Sequence, residues 1–360
     1  MRNITIKTIT ISTLTSSFLL GATPNIGDIE KQVKEPTIKK EQAKLPEIKT
    51  QEYKAPMSDS GKTILVKDFE ITGNTHISSS ELEQFFVSSK GKELTFNQLQ
   101  EIASAITKYY REKGYFVARA YIPEQNVISN NGILEIAVIE GNYGKFILKN
   151  NSLVRDTIIQ AMLDNAKRDN VISTNTLERA MLIINDTPGS VVTKADVKPG
   201  EKVGTSDFEI ETTASKRVDG YVITDNTGSR YTGKYRLMSG VNINSPFKLG
   251  DKISLFGLLS NGTNLKNGKI SYSAPLLPNG LRGELSYAQT NYSLVDSYKS
   301  LDAVGNSKTY NANLSYPVIR TRLENLYASL DITKKDLEDE VRSTSTLTKK
   351  NSKSFSLAFL

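Results

Sequence analysis

Residues 99–122 read LQEIASAITKYYREKGYFVARAYI, and the apolar spacing changes within them. Before Gly114, the residues Leu99, Ile102, Ala103, Ile106 and Tyr109/Tyr110 recur at the spacing of one helix face. After it, Phe116, Ala118, Ala120 and Ile122 alternate with Val117, Arg119 and Tyr121, as a half-buried strand requires. Gly114 stands where a left-handed residue closes a helix without a Cβ penalty. A helix that stops at a glycine and passes into a strand predicts an α+β unit.

The flanks complete that unit. Upstream, Ile64 to Ile71 reads as a strand ending at the turn Gly73-Asn74. Ser80 is placed to cap a short helix through about Val87, and Asn97 to begin the second helix. Downstream, Asn130-Asn131-Gly132 is a turn signal, and Ile133 to Ile139 is a last strand closing at Glu140-Gly141. The order then repeats: strand Tyr143–Leu148, helix Val154–Leu163, helix Thr174–Asn185, and a hairpin of Val191–Val197 with Asp207–Thr213. Two units of about 70 residues with one element order predict tandem βααββ modules, 63–141 and 142–214.

From 215 to 360 the pattern becomes strand after strand. Leu237, Val241 and Ile243 alternate with Arg236, Asn242 and Asn244. Ile270, Tyr272 and Ala274 alternate with Lys269, Ser271 and Ser273; Ala312, Leu314 and Tyr316 alternate with Asn311, Asn313 and Ser315. Phe256 and Leu258 blur the contrast in the run from Ile253 to Leu259. With Val218–Thr224, eight strands are predicted, separated by turns such as Asn244-Ser245-Pro246, Asn261-Gly262 and Pro278-Asn279-Gly280. Long two-sided strands suit a transmembrane barrel, and a soluble β-sandwich alternates in the same way.

Composition removes several function classes. The 46 Lys+Arg against 39 Asp+Glu are spread along the chain, whereas a nucleic-acid binder concentrates its cations. Without Cys, and with His76 as the one histidine, there is no disulfide frame, thiol nucleophile or multi-imidazole zinc site. Ser60-Gly61-Lys62-Thr63 is spelled like the end of a phosphate loop, but Pro56 occupies the glycine position and a strand follows where a helix is needed. No nucleotide, nucleic acid, cofactor or metal is expected, and no enzyme. Residues 1–22 order basic, apolar and small residues as a signal peptide does. Residues 23–62 alternate Lys and Glu, with Pro36, Pro46 and Pro56 every ten residues. They read as a solvated linker, with room for a short helix around Ile29–Lys34.

Several segments, in order, carry a family resemblance: Phe69-Glu70-Ile71-Thr72-Gly73-Asn74, Tyr110-Arg111-Glu112-Lys113-Gly114-Tyr115 and Val138-Ile139-Glu140-Gly141. Asp225-Asn226-Thr227-Gly228 with Thr232-Gly233 looks like a first barrel hairpin. Leu314-Ser315-Tyr316-Pro317, Arg320-Thr321-Arg322 and Asn325-Leu326-Tyr327 look like a strand pair. From about residue 64 onward the chain resembles the transporters of two-partner secretion (TpsB), the haemolysin secretion/activation proteins of the ShlB/FhaC/HecB family.

The resemblance implies two polypeptide-transport-associated (POTRA) modules in the periplasm, ahead of a sixteen-stranded barrel in the outer membrane of a Gram-negative cell. It implies a large unfolded exoprotein, haemolysin- or haemagglutinin-like, as partner, with outer-membrane lipid around the barrel. Client capture at sheet edges would then fall to Val117, Arg119 and Tyr121 in the strand Tyr115–Ile122, and to Val191 and Thr193. Lys234, Arg236, Lys252, Lys269 and Arg282 would line a wet, cationic lumen. Asp225, Asn226, Gly228 and Gly233 would form the hairpin motif. Arg282-Gly283 precedes Glu284, so it is not the family's lumenal Arg-Gly-aromatic motif, and eight strands against sixteen lead us to expect a fragment. Two alternatives stay open here, a barrel-assembly relative and a non-transporting surface β-protein.

Overall fold

The computed structural model describes residues 23–37, 44–48 and 62–360. The expected signal peptide, 1–22, and Ser60-Gly61 lie outside them. A short helix, α1 (Ile26–Glu30), comes first, capped by Asn25 through its side-chain oxygen.

The first module contains β1 (Thr63–Val66), β2 (Asp68–Thr72), α2 (Ser79–Leu82), β3 (Lys92–Thr95), α3 (Phe96–Glu112), β4 (Arg119–Tyr121) and β5 (Ile133–Ile139). The single strand expected over Ile64–Ile71 is two. The Lys67 N–H bonds Gly132 O at 2.8 Å, diverting the chain, so β1 pairs with β3 and only β2 joins the main sheet. Ser78, not Ser80, caps α2. Thr95 and Gln98 form a reciprocal capping box that starts α3 ahead of Asn97, and such a cap contributes about 1 kcal/mol. Gly114 has φ +96°, the left-handed closure expected of it. The expected strand Tyr115–Ile122 shrinks to Arg119–Tyr121, because a turn between Tyr115 and Ala118 occupies its first half.

The second module runs β6 (Asn142–Asn151), α4 (Asp156–Asp164), α5 (Thr174–Asp186), β7 (Val191–Pro199) and β8 (Thr205–Thr213). Its sheet order, β6-β8-β7, matches β2-β5-β4 of the first: the outer pair is parallel to the centre on one side and antiparallel on the other. The tandem βααββ expectation therefore describes both units. Each has its own core, around Leu99, Ile106 and Tyr110 in one and around Ile159, Leu177 and Phe208 in the other.

The rest is an eight-stranded antiparallel meander: β9 (Val218–Asp225), β10 (Arg236–Asn244), β11 (Lys252–Ser260), β12 (Leu265–Pro275), β13 (Arg282–Ser293), β14 (Ala303–Arg320), β15 (Asn325–Val341) and β16 (Thr346–Phe359). Each pairs with its sequence neighbour, and among the described residues β9 and β16 are the sheet edges. Register fixes two faces. Leu237, Leu255, Ile270, Leu285, Leu314, Ile332 and Phe355 lie exposed on the outer one. Asn242, Ser254, Ser271, Ser286, Asn311 and Thr333 lie on the inner one. The turns around 245–250, 276–281 and 321–324 meet the second module.

Candidate functional site

The inner face is polar along most of its length, and side-chain bonds run across strands. Asn242 Nδ2 donates to Asp219 at 2.8 Å, Ser254 Oγ to Asn242 at 2.7 Å, and Asn313 Nδ2 to Asp331 at 3.0 Å. Of the cations expected to line a lumen, Arg236, Lys252, Lys269 and Arg282 lie on this face. Lys234 does not; it falls in the exposed connection before β10. The face is not a field of free cations. Arg236 is held bidentately by Asp225 at 2.9 and 2.8 Å and also donates to Gln32 O at 2.8 Å. Lys269 pairs with Glu35 at 3.1 Å, and Arg282 donates to Gly250 O and Ser273 Oγ. Arg236 and Lys269 are thus neutralised by carboxylates, while Arg282 rests on neutral oxygens.

One inner patch is apolar. Met238, Phe256, Leu258, Leu265 and Tyr292 receive Ile26 and Ile29 of α1, which are 1% and 0% exposed. Polar contacts fix the rim: the Ile26 N–H bonds Asp339 Oδ1 at 2.8 Å, and Glu30 takes Lys335 at 2.6 Å together with Ser307 and Thr309. This differs from the solvated linker expected over 23–62, and from a helix at Ile29–Lys34. The segment carries too little apolar surface to make a core alone, but the sheet supplies the other half. The signal was present in Phe256 and Leu258, apolar where their strand should be polar.

The hairpin residues fall together. Asp225 caps the β9–β10 connection by accepting from Thr227 N at 2.9 Å, and it pairs with Arg236. A Cβ on Gly228 would meet Gly233 O at 2.3 Å; Gly233 has φ +104° and Ser260 Oγ 2.6 Å from where its Cβ would stand. Both must be glycine. Asn226 is exposed at the tip.

The expected capture residues separate. Arg119 and Tyr121 are on β4 and Val191 on β7, the outer strands of their sheets. Val117 precedes β4 and packs against the second module's core beside Gly141, so it belongs to the joint between modules. Thr193 is the extra residue of a bulge between Val192 and Lys194, its hydroxyl turned back to Glu211 O at 3.2 Å.

Two features escaped the sequence reading. At the end of the first module Glu140, 6% exposed, accepts from Thr75 N, His76 N and His76 Nδ1, each at 2.8 Å, from Tyr110 Oη at 3.0 Å, and from the Thr75 hydroxyl. Burial alone would raise its carboxyl, but these donors outweigh it and hold the group below the usual range. At the second module's far side, buried Arg320 forks onto Asp186 of α5 with two 2.7 Å bonds. Nearby, Arg179 donates to Pro317 O and Arg322 to Glu178 at 2.8 Å. These arginines tie the module to the β14–β15 turn.

Residues 64–141 match the family description "POTRA domain, ShlB-type", and residues 204–356 match "Haemolysin secretion/activation protein ShlB/FhaC/HecB". The chain is 30% identical over 335 residues to the heme/hemopexin transporter protein HuxB of Haemophilus influenzae, covering 91% of this chain and 58% of that protein. It is 24% identical to the outer membrane transporter CdiB of Escherichia coli, over 72% of this chain and 44% of that one. The solved structure of Escherichia coli CdiB superposes with TM-score 0.67 at 20% identity, covering 85% of this chain and 57% of that one. The chain thus spans less than two thirds of the length of the relatives it matches. With both family patterns falling in order along the modules and sheet just described, the chain belongs to the haemolysin secretion/activation (ShlB/FhaC/HecB) family of two-partner secretion transporters.

Proposed function

We propose that this chain contributes the periplasmic docking arm and one wall of the barrel of an outer-membrane translocator. In this reading the POTRA modules face the periplasm, and the translocator takes up one large unfolded exoprotein there and passes it outward through the barrel. The observation that carries the reading is an edge-bearing module held by the Arg320–Asp186 fork to the turns of a sheet with one polar face. An outer face of exposed leucines and isoleucines suits lipid, while an inner face of serine, asparagine and compensated charges lets a polypeptide slide without strong binding.

Capture would use β4 and β7 as edges to which an extended segment adds a strand, backbone hydrogen bonds supplying affinity. Arg119, Tyr121 and Val191 would meet the client's side chains. While α1 is seated, it covers the inner apolar patch, so passage requires it to leave. Outward motion would be driven by the client's folding outside.

The test replaces Arg119 and Tyr121 by Asp in the producing cells. One follows the polypeptides released to the medium beside the heat-dependent gel mobility of the outer-membrane fraction. Loss of one large secreted polypeptide with mobility intact is the expected result. An unchanged secreted profile would overturn capture at β4.

A further inference from the structure

Proline recurs every ten residues before the first module, and the central repeat is docked. Residues 44–48, Lys-Leu-Pro-Glu-Ile, carry neither helix nor strand, yet their exposure has a period of three: Lys44 and Glu47 are exposed, Leu45 is 9% exposed, and Ile48 is partly buried. Leu45 joins the apolar cluster of the second POTRA module, and Ile48 packs against it. A polyproline II helix has three residues per turn, so positions i and i+3 share a side, about 9 Å apart. Pro46 has the required φ, and the residue before a proline is pushed to the same extended region. Leu45 and Ile48 therefore meet the module as two teeth on one edge. Beside them Arg322, paired with Glu178, reaches Pro46 O at 3.5 Å.

We propose that this apolar surface of the second POTRA module is an exchange site for extended segments of the form apolar–Pro–x–apolar, held at rest by the chain's own Leu45–Ile48. The entering partner is a segment of the exported polypeptide with that spelling. This rests on the export reading above. Such a segment is presented readily by an unfolded chain, in which polyproline II is a major conformer.

The chain has no cysteine, which gives a direct readout. Leu45→Cys and, separately, Lys44→Cys are made in the full chain, purified in detergent, and labelled with a maleimide. We expect position 45 to label at least tenfold more slowly than position 44. Millimolar synthetic Lys-Leu-Pro-Glu-Ile-Lys peptide should abolish that protection, and so should a peptide carrying Val-Pro-Ser-Leu. A version with serine at both apolar positions should have no effect. Equal labelling at 44 and 45 would show that the segment is not docked. Protection that no peptide relieves, or that only the chain's own sequence relieves, would reduce the site to a fixed strap and overturn exchange. None of these readouts requires secretion, so a failure here is distinguishable from a failure of the translocator reading.

Discussion

The two joints of this molecule differ in the charge they carry. Between the POTRA modules the contacts are neutral: Thr174 N donates to Gly114 O at 2.9 Å, Ile172 N to Gly141 O at 2.9 Å, and Phe116 and Val117 press into the second module's core. Glu140, next to that joint in sequence, is satisfied within the first module, mostly by hydroxyl and amide donors. Between the second module and the sheet, backbone contacts such as Arg155 N to Lys248 O at 2.9 Å are joined by ion pairs, Arg320 on Asp186 and Arg322 on Glu178. Apolar and backbone contacts and the buried Arg320 fork fix geometry at any ionic strength, whereas the half-exposed Arg322–Glu178 pair weakens as salt screens it. The difference teaches that the arm docks to the barrel through a contact whose rim, unlike its buried centre, solution conditions can adjust.

The comparison is broken most forcefully at Arg320. Its side chain is 2% exposed, so Asp186→Ala strands a buried guanidinium, with Asn325 Oδ1 and Thr321 O as its remaining acceptors. We expect a loss of about 3 kcal/mol, read as a lowered urea midpoint by pulse proteolysis. Arg320→Met should cost less, about 1 kcal/mol, because Asp186 is 37% exposed and keeps Tyr327 as donor. Equal losses from the two would contradict the burial asymmetry.

Glu140→Gln tests the first module beside that joint and should cost about 2 to 3 kcal/mol, since an amide cannot accept from all of Thr75, His76 and Tyr110. Its pH behaviour adds a second reading. The folded carboxyl is held below the ordinary 4.5, so its contribution is complete above that pH and fades as pH falls toward the depressed folded value. The wild type should lose stability through that acid window, and Glu140→Gln should lose less. Parallel acid profiles would remove Glu140 from the account. Gly141→Ala comes next, at about 2 kcal/mol: φ is +86°, and the new Cβ would stand 2.5 Å from Val117 Cγ2.

Much of this fold was legible because its signals are local. Period and glycine placement around Gly114 predict α3 and its end, and alternation predicts all eight strands of the sheet. What escaped depends on distant partners. Nothing in Ile64–Ile71 announces that Lys67 will bond Gly132 and split the strand. Val117 alternates as strand residues do, yet it is claimed by the neighbouring module. Residues 23–62 have the composition of a solvated linker because the apolar surface that holds Ile26, Ile29 and Leu45 belongs to other elements. Strands β4 and β7 follow from element order, while the compensation of Arg236 by Asp225 follows only from register.

The mildest change sharpens the comparison most. Glu178→Gln removes one charge from the pair with Arg322, whose side chain is 43% exposed. Exposed pairs of this kind contribute about 0.2–1 kcal/mol, so the midpoint in low salt should fall by no more than that. In about 0.5 M salt the variant and wild type should coincide, because the Debye length has dropped to roughly 4 Å. The Asp186→Ala loss should persist under the same salt, since its cost arises from a buried guanidinium that ions cannot reach. A Glu178→Gln effect as large as that of Asp186→Ala, and equally indifferent to salt, would mean that the rim of this joint is as dry as its centre. The second module would then be fixed to the sheet and not adjustably docked.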